Sequence, residues 1–147
     1  MPIGRTEIAA MIPHTGRMCL LDEVTRWDAN GVNASSRTHR DADNPLRSGG
    51  EIPTFSAIEY AAQAMAVHGA LVGAVTTRPG AGYLVSLRKV VCLAPRLDGL
   101  EGDLFVEARL LMGDAARVMY AFSVRIGESE VLSGSATVVL DAGMAAQ

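Results

Sequence analysis

The sequence predicts an α+β domain in which an antiparallel sheet wraps around one long helix. Residues Thr54–Val75 are apolar on nearly every side of a helix, which is typical of a helix that is buried on all faces. Residues Arg117–Ile126 alternate apolar and polar side chains with the period of a half-buried strand. Two predicted strands precede the helix and four follow it, an order that fits one sheet packed against one helix.

Length and composition limit the classes of protein to which this chain can belong. The 147 residues are enough for one domain, predicted to span 1–147. Hydrophobic residues make up 49% of the chain, which excludes global disorder, and the net charge of −3 argues against a broad basic face for nucleic acid. No apolar run reaches the roughly 18 residues of a membrane-spanning helix. The first residues, MPIGRTEIAAM, lack a signal-peptide pattern, so a cytoplasmic protein is expected.

The individual elements follow from caps, turns and periodicity. Thr6 is predicted to cap a first short helix and Thr54 to cap the long one. Residues 40–50 read as a polar loop, and residues 77–82 as a helix breaker. The elements predicted around the long helix are a helix, a strand, a tight turn and five further strands: Thr6–Met11, Arg17–Trp27, Asn30-Gly31, Val32–His39, Tyr83–Pro95, Leu104–Met112, Arg117–Ile126 and Val131–Leu140.

Residues that bind metals or nucleotides are sparse. Cys19 and Cys92 stand alone, without the short spacing of a metal site, and are expected to be buried, reduced thiols. The three histidines, His14, His39 and His68, are too scattered to indicate a metal cluster. The sequence also lacks a glycine-rich phosphate loop. No metal and no nucleotide cofactor are therefore expected.

Three stretches resemble the bacterial 3-hydroxyacyl-acyl carrier protein dehydratases, which have the hotdog fold. Ile12–Val24 (IPHTGRMCLLDEV) is similar to that family's proline-histidine segment and the strand after it. Ile52–Met65 (IPTFSAIEYAAQAM) is similar to its central helix, and Leu87–Glu107 (LRKVVCLAPRLDGLEGDLFVE) to its arginine-bearing strand and Gly-Asp turn. Together they look most like the divergent subgroup of aryl-polyene pigment clusters, which is called ApeP-like.

This resemblance implies an enzyme that removes water from a 3-hydroxyacyl thioester and forms a trans-2-enoyl thioester, in fatty-acid or aryl-polyene-type biosynthesis. The acyl chain is carried on the phosphopantetheine of acyl carrier protein or on coenzyme A, without any other cofactor. The family works as dimers or higher oligomers, so a homodimer or a heterodimer with a second hotdog dehydratase is expected. A histidine takes the C2 proton, and an acid on the central helix helps the 3-hydroxyl to leave.

The helix acid is predicted to be Glu59, which matches the family's IE-A-AQ motif. Among Ala, Ile and Met side chains, desolvation is expected to keep this carboxyl protonated, so that it can donate to the leaving hydroxyl. The alternative is a glutamate that reaches solvent. Gln63, four residues further, is predicted either to hold the carboxyl or the thioester oxygen or to be a satisfied polar residue of the core.

The base is less clear, because the family's usual Gly-His-Phe-Pro stretch is replaced here by Asn44-Pro45-Leu46. His14 is the preferred replacement, with backbone hydrogen bonding beside Pro13 as the alternative, and His39 is a weaker candidate. His68 lies about 180° around the helix from Glu59 and is expected to face away from it.

Two further sets of residues are predicted to bind substrate or carrier. The helix start at Thr54, Phe55 and Ser56 offers backbone N–H groups and a positive dipole end that can polarise the thioester carbonyl. Arg88, Lys89 and Arg96 are the densest basic set and are predicted to meet the acidic carrier protein, or else to form a solvated strand edge. Two other functions stay open: a hotdog thioesterase, which uses the helix carboxylate on water, and a non-catalytic subunit that pairs with an active dehydratase.

Overall fold

The computed structural model describes residues 2–12, 18–72, 83–114 and 117–139. Within these residues the chain forms two α-helices and seven strands. Their bounds in chain order are β1 Ile3–Gly4, α1 Arg5–Met11, β2 Glu23–Asp28, β3 Gly31–Ser36, α2 Ala57–Leu71, β4 Tyr83–Cys92, β5 Leu104–Gly113, β6 Arg117–Ile126 and β7 Ser129–Val139. Short 3-10 turns occupy Thr38–Arg40 and Thr54–Ser56. None of these helices is long and apolar enough to cross a membrane.

The strands form one antiparallel sheet in the order β1-β2-β3-β5-β6-β7-β4, and α2 lies against β3, β5 and β6. The prediction of an antiparallel sheet packed on one helix is therefore confirmed. The helix itself is shorter than expected. It begins at Ala57 after the 3-10 turn and ends at Leu71, whereas the sequence predicted Thr54–Val75. The predicted breaker at 77–82 lies outside the described residues.

The strands with clear alternation were predicted best. β6 has the predicted bounds, with Tyr120, Phe122 and Val124 buried against the core and Arg117 and Arg125 exposed. Its neighbours β5 and β7 pair with it along nearly their full length. The hairpin of β2 and β3 turns at Ala29 and Asn30, one residue before the predicted Asn30-Gly31 turn, and Gly31 is the first residue of β3. A side chain at Gly31 would meet the carbonyl oxygen of Ala108 at 2.7 Å, so only glycine lets β3 lie this close to β5.

The first predicted strand, Arg17–Trp27, begins only at Glu23. The preceding residues are held by side chains instead of by a strand partner. The Leu20 N–H donates to Gln63 Oε1 at 2.9 Å, and the Leu20 carbonyl accepts from Ser36 Oγ at 2.6 Å and from Thr38 Oγ1 at 2.8 Å. Because these side chains satisfy the Leu20 backbone, the segment needs no neighbouring strand.

Both predicted N-caps were wrong. α1 begins at Arg5, and its N-cap residue is Gly4, whose N–H donates to Glu7 Oε1 at 3.2 Å. Thr6 lies inside that helix. Thr54 lies in the 3-10 turn and makes no capping bond, and neither does Ser56, the N-cap residue of α2. The 3-10 turn displaces Thr54 from the cap position.

Candidate active site

One face of α2 is not covered by the sheet. Phe55 is 58% exposed, Glu59 is exposed, and Ala62 and Ala66 are half-buried along the same line of the helix. The other positions of α2 from Ala57 to His68 are buried. The helix was predicted to be buried all round. In the single chain it is not, because the sheet covers only one side of it.

Glu59 is the only acidic residue of α2 and lies on this open face, in the first turn. Its carboxylate is exposed to water in the single chain, so the dry surroundings expected from the sequence are not provided by this chain alone. A second surface over the open face would be needed to desolvate it. A carboxylate at this position lies at the positive end of the helix dipole.

The start of α2 is free of side-chain caps. The Thr54 N–H donates to the Pro95 carbonyl at 3.3 Å, and Thr54 is 2% exposed. Its Oγ1 is buried without a hydrogen-bond partner in the part of the chain that the structure describes. Ser56 is half-buried and Phe55 projects outward. The predicted substrate-binding residues thus surround an uncapped helix start within one turn of Glu59.

Gln63 is fully buried. Its Oε1 accepts from the Leu20 N–H, and its Nε2 donates to the Met18 carbonyl. Both ends of the amide are therefore engaged inside the chain. Of the two roles the sequence left open, this geometry fits the satisfied core residue, because the buried amide binds backbone groups of the same chain at both ends.

The sequence analysis missed a buried hydrogen-bond network around Tyr60. The Tyr60 hydroxyl contacts Thr38 Oγ1 at 2.8 Å and accepts from Asn44 Nδ2 at 3.1 Å. Asn44 Nδ2 also donates to the Thr38 carbonyl at 2.7 Å, and its Oδ1 accepts from the Leu46 N–H at 2.7 Å. Burial raises the pKa of Tyr60. The network could have been anticipated from the presence of a tyrosine in a mostly apolar helix, because a buried hydroxyl needs a hydrogen-bond partner.

This network orders the loop that composition marked only as polar. Asn44 occupies the neighbourhood where the resemblance noted in the sequence would place a histidine, and its side chain points inward. Arg47 adds three contacts from its guanidinium to carbonyl oxygens, at 2.7 Å to Asp41, 2.6 Å to Gly50 and 3.4 Å to His39. The loop is thereby fixed against the beginning of α2.

The histidines differ in what they contact. His14, the preferred base, lies outside the described residues. His68 is fully buried and faces away from Glu59, as predicted. Its Nε2 donates to the Asp28 carbonyl at 2.9 Å, and its Nδ1 contacts the Tyr120 hydroxyl at 2.7 Å. Burial raises the pKa of Tyr120 to about 12.

His39 is fully buried in the turn after β3, not in the strand where the sequence placed it. Its Nε2 donates to the Leu100 carbonyl at 3.1 Å, and its Nδ1 is buried without a partner among the described residues. The pKa of His39 is lowered, chiefly because burial disfavours the charged ring. The ring is thus a neutral imidazole with a free lone pair, sealed from solvent in the single chain.

The three predicted carrier-binding residues do not form one uniform patch. Arg88 and Lys89 are exposed on β4, where Lys89 has a φ of 55° in an irregular part of the strand. Arg96 is engaged within the chain, with Asp98 at 2.6 Å and Glu51 at 3.2 Å. The hydrogen bond from Arg96 lowers the pKa of Asp98 to about 2. Among the described residues, no group of three His, Cys, Asp or Glu side chains is arranged to hold a metal ion.

A seven-stranded antiparallel sheet packed against α2, with a carboxylate at the uncapped start of that helix, defines a protein of the hotdog-like class. The family model described as ApeP-like, ApeP dehydratase, matches residues 6–145. The chain therefore belongs to the ApeP-like dehydratase family.

Solved structures show the same fold at low identity. The dehydratase heterocomplex ApeI:P from Xenorhabdus doucetiae is 23% identical, with a TM-score of 0.78 over 90% of each chain. AziG from S. sahachiroi is 15% identical, with a TM-score of 0.64 over 88% of this chain and 97% of that one. A mutant thioesterase from Pseudomonas aeruginosa is 12% identical, with a TM-score of 0.59 over 80% of this chain and 78% of that one. Comparison with curated proteins gives no match.

Proposed function

We propose that this protein is a 3-hydroxyacyl thioester dehydratase that forms a trans-2-enoyl thioester. The acyl chain is carried on the phosphopantetheine of acyl carrier protein or on coenzyme A, in fatty-acid or aryl-polyene-type biosynthesis. Membership of the ApeP-like dehydratase family supports the reaction class. The observation that carries the assignment to a site is the position of Glu59, the only carboxylate of α2, on the open face beside an uncapped helix start.

In the proposed reaction, His14 takes the C2 proton while the Glu59 carboxyl donates a proton to the 3-hydroxyl. The C3–O bond breaks, water leaves, and the C2–H electron pair forms the C2=C3 double bond. The Thr54 and Ser56 N–H groups already donate to the Pro95 and Pro53 carbonyls, so among the three predicted residues the Phe55 N–H is proposed to hold the thioester carbonyl oxygen as negative charge develops on it.

The exposure of Glu59 supports a second subunit at this site. A carboxyl that is to stay protonated has to be removed from water, and the sheet of the same chain lies on the other side of α2. We propose that a second hotdog chain, either identical or a different dehydratase, covers the open face. The heterocomplex of dehydratases among the similar structures is consistent with this arrangement.

The carrier protein is proposed to meet Arg88 and Lys89, whose exposed cations suit an acidic partner. Arg96 is the weaker member of this predicted set, because Asp98 and Glu51 already compensate its charge. Replacement of Arg88 and Lys89 is therefore expected to raise KM for an acyl carrier substrate more than replacement of Arg96.

The function is tested with purified protein and a 3-hydroxyacyl thioester, by following enoyl absorbance and, separately, free thiol. Glu59→Gln is expected to lower dehydration roughly 100-fold or more, since removal of general acid–base catalysis has effects of this size. Glu101→Gln, at an exposed glutamate outside α2, is the matched control and should keep full activity. His14→Ala should also abolish dehydration.

The two other functions give different results in the same assay. Release of thiol without enoyl product, insensitive to His14→Ala, would replace the dehydratase by a thioesterase. Turnover that appears only after a second hotdog chain is added, and that survives Glu59→Gln in this chain, would assign this chain a non-catalytic subunit role. Dehydration that survives Glu59→Gln at full rate would refute the proposed site.

A further inference from the structure

The composition of α2 leaves its rotation about its own axis weakly determined by packing. Six of its 15 residues are alanine and one is glycine, distributed around the helix. Packing of helices on their neighbours depends on ridges and grooves made by larger side chains. Among the buried side chains of α2 only Ile58, Met65 and Val67 are larger and wholly apolar, so apolar contacts restrict rotation less than they would in a helix with large side chains at most buried positions.

Three polar side chains of α2 are fully buried and make directional hydrogen bonds, which alanine side chains cannot make. Tyr60, Gln63 and His68 each have 0% exposure. Each side chain makes two hydrogen bonds, and the partners belong to different segments of the chain. Their partners are Thr38 and Asn44 for Tyr60, Leu20 and Met18 for Gln63, and Tyr120 on β6 and Asp28 on β2 for His68.

The three side chains leave the helix in different directions. At about 100° per residue, Gln63 lies about 40°, Tyr60 about 100° and His68 about 180° around the axis from Glu59. They also span more than two turns along the helix. A rotation or a slide of α2 would therefore stretch all six hydrogen bonds at once, and no nearby rotation offers the same partners.

We propose that Tyr60, Gln63 and His68 are positioning residues that fix the rotation of α2 and thereby hold Glu59 on the open face. Their role in positioning is a property of the fold, and only its kinetic consequence rests on the proposed dehydration. Without them, the helix keeps its apolar contacts but Glu59 is distributed over several orientations.

The orientation of position 59 is measured directly by fluorine NMR. Glu59→Cys is labelled with a trifluoromethyl ketone reagent in a Cys92→Ser background, since Cys19 is buried as predicted whereas Cys92, which was also predicted to be buried, is exposed. The combined replacement Tyr60→Phe with Gln63→Met removes four of the six hydrogen bonds at nearly constant side-chain size. The matched control is Leu132→Ala, which truncates a fully buried apolar residue of β7 and removes none of the six.

The parent and the Leu132→Ala control are expected to give one fluorine resonance. The double replacement is expected to give several resonances or one that is broadened and shifted. A single resonance at the parental position in the double replacement would overturn the proposal. The single variants Tyr60→Phe and Gln63→Met, each of which removes two of the six hydrogen bonds, provide milder tests and should show smaller changes.

Kinetics of the unlabelled proteins separate positioning from general damage. Because a misplacement of about 1 Å can cost roughly 100-fold in rate, the double replacement should lower kcat by about that factor with little change in KM. Each single variant, Tyr60→Phe or Gln63→Met, should fall between it and the parent. A variant with split resonances but unchanged kcat would overturn the positioning role. Absence of dehydration in the parent, both alone and with a second hotdog dehydratase chain added, would refute the proposed function, while the fluorine spectra would still decide the positioning.

Discussion

Residues 18–63 and the strands β4–β7 are held together by different kinds of contact. In the first region, side chains of Ser36, Thr38, Asn44 and Gln63 bind backbone groups of neighbouring segments. In the second region, long antiparallel backbone ladders and alternating apolar side chains provide almost all contacts. The first region contains Glu59 and the helix start, so the candidate site lies where individual side chains set the geometry.

This difference indicates how the two regions respond to change. A ladder of strands distributes its stabilisation over many equivalent backbone bonds and apolar contacts, so a single truncation lowers stability without altering shape. A region fixed by a few buried polar side chains depends on each of them, since an unpaired buried group costs about 1–3 kcal/mol. Local changes of structure are therefore expected in the first region and global changes of stability in the second.

The largest effect on stability is expected in the ladder. Leu132→Ala removes a fully buried side chain from β7 and leaves a cavity. Such replacements cost about 2–5 kcal/mol. Urea unfolding should show a lower midpoint with an unchanged slope, because the fold is lost as a unit. A loss below about 1 kcal/mol would contradict the picture of β7 as part of the central core.

A smaller and more local effect is expected at Asn44. Asn44→Ala removes the bonds to the Thr38 carbonyl, the Tyr60 hydroxyl and the Leu46 N–H, and should cost about 1–3 kcal/mol. Hydrogen exchange should accelerate in residues 37–50 before it accelerates in β5–β7. Asn33→Ala is the control, since the side chain of Asn33 makes no hydrogen bond within the described ranges. If hydrogen exchange accelerated equally in all strands, the expectation that the first region responds locally would be wrong.

The smallest effect is expected from His39 and depends on pH. Burial lowers its pKa in the folded protein, whereas in the unfolded chain a histidine titrates near about 6.5. Below that pH the unfolded state binds a proton that the folded state does not, so this group makes stability fall as the pH falls. Above a pH of about 6.5, His39 is neutral in both states, so its effect on the free energy of unfolding no longer changes with pH.

His39→Gln tests this contribution because the glutamine Nε2 can still donate to the Leu100 carbonyl but does not titrate. Unfolding free energies measured between about pH 5 and pH 8 should show a weaker decline on the acidic side in the variant than in the parent. Parallel curves for the two proteins would show that the ring is not kept neutral by burial.

The sequence predicted the ladder better than the region of the candidate site, and the reason is physical. The residues of β6 alternate between apolar and polar along the strand, so the bounds of β6 could be predicted from its own sequence. The late start of β2 depends on Gln63, Ser36 and Thr38, which lie far from Leu20 in the chain. Periodicity carries no information about such pairs.

The same limit applies to the functional residues. The family motif placed Glu59 on the helix, but its exposure depends on which side of α2 the sheet covers. The prediction of Thr54 as a cap considered residue type alone, and the 3-10 turn before α2 displaced it. The Tyr60 network joins three segments, and only the need of a buried hydroxyl for a partner pointed to it. Whether His14 reaches Glu59 stays a prediction.

The contacts of Arg47 affect the resistance of the protein to proteolysis. Residues 40–50 are polar and contain two arginines, which makes them a preferred tryptic target by composition. A protease has to draw such a segment into an extended form, yet the Arg47 side chain is already bound to three carbonyl oxygens of the same loop. Cleavage after Arg47 would first require these bonds to open. Trypsin should therefore cut the folded chain slowly at Arg47, although the sequence of the loop favours cleavage there.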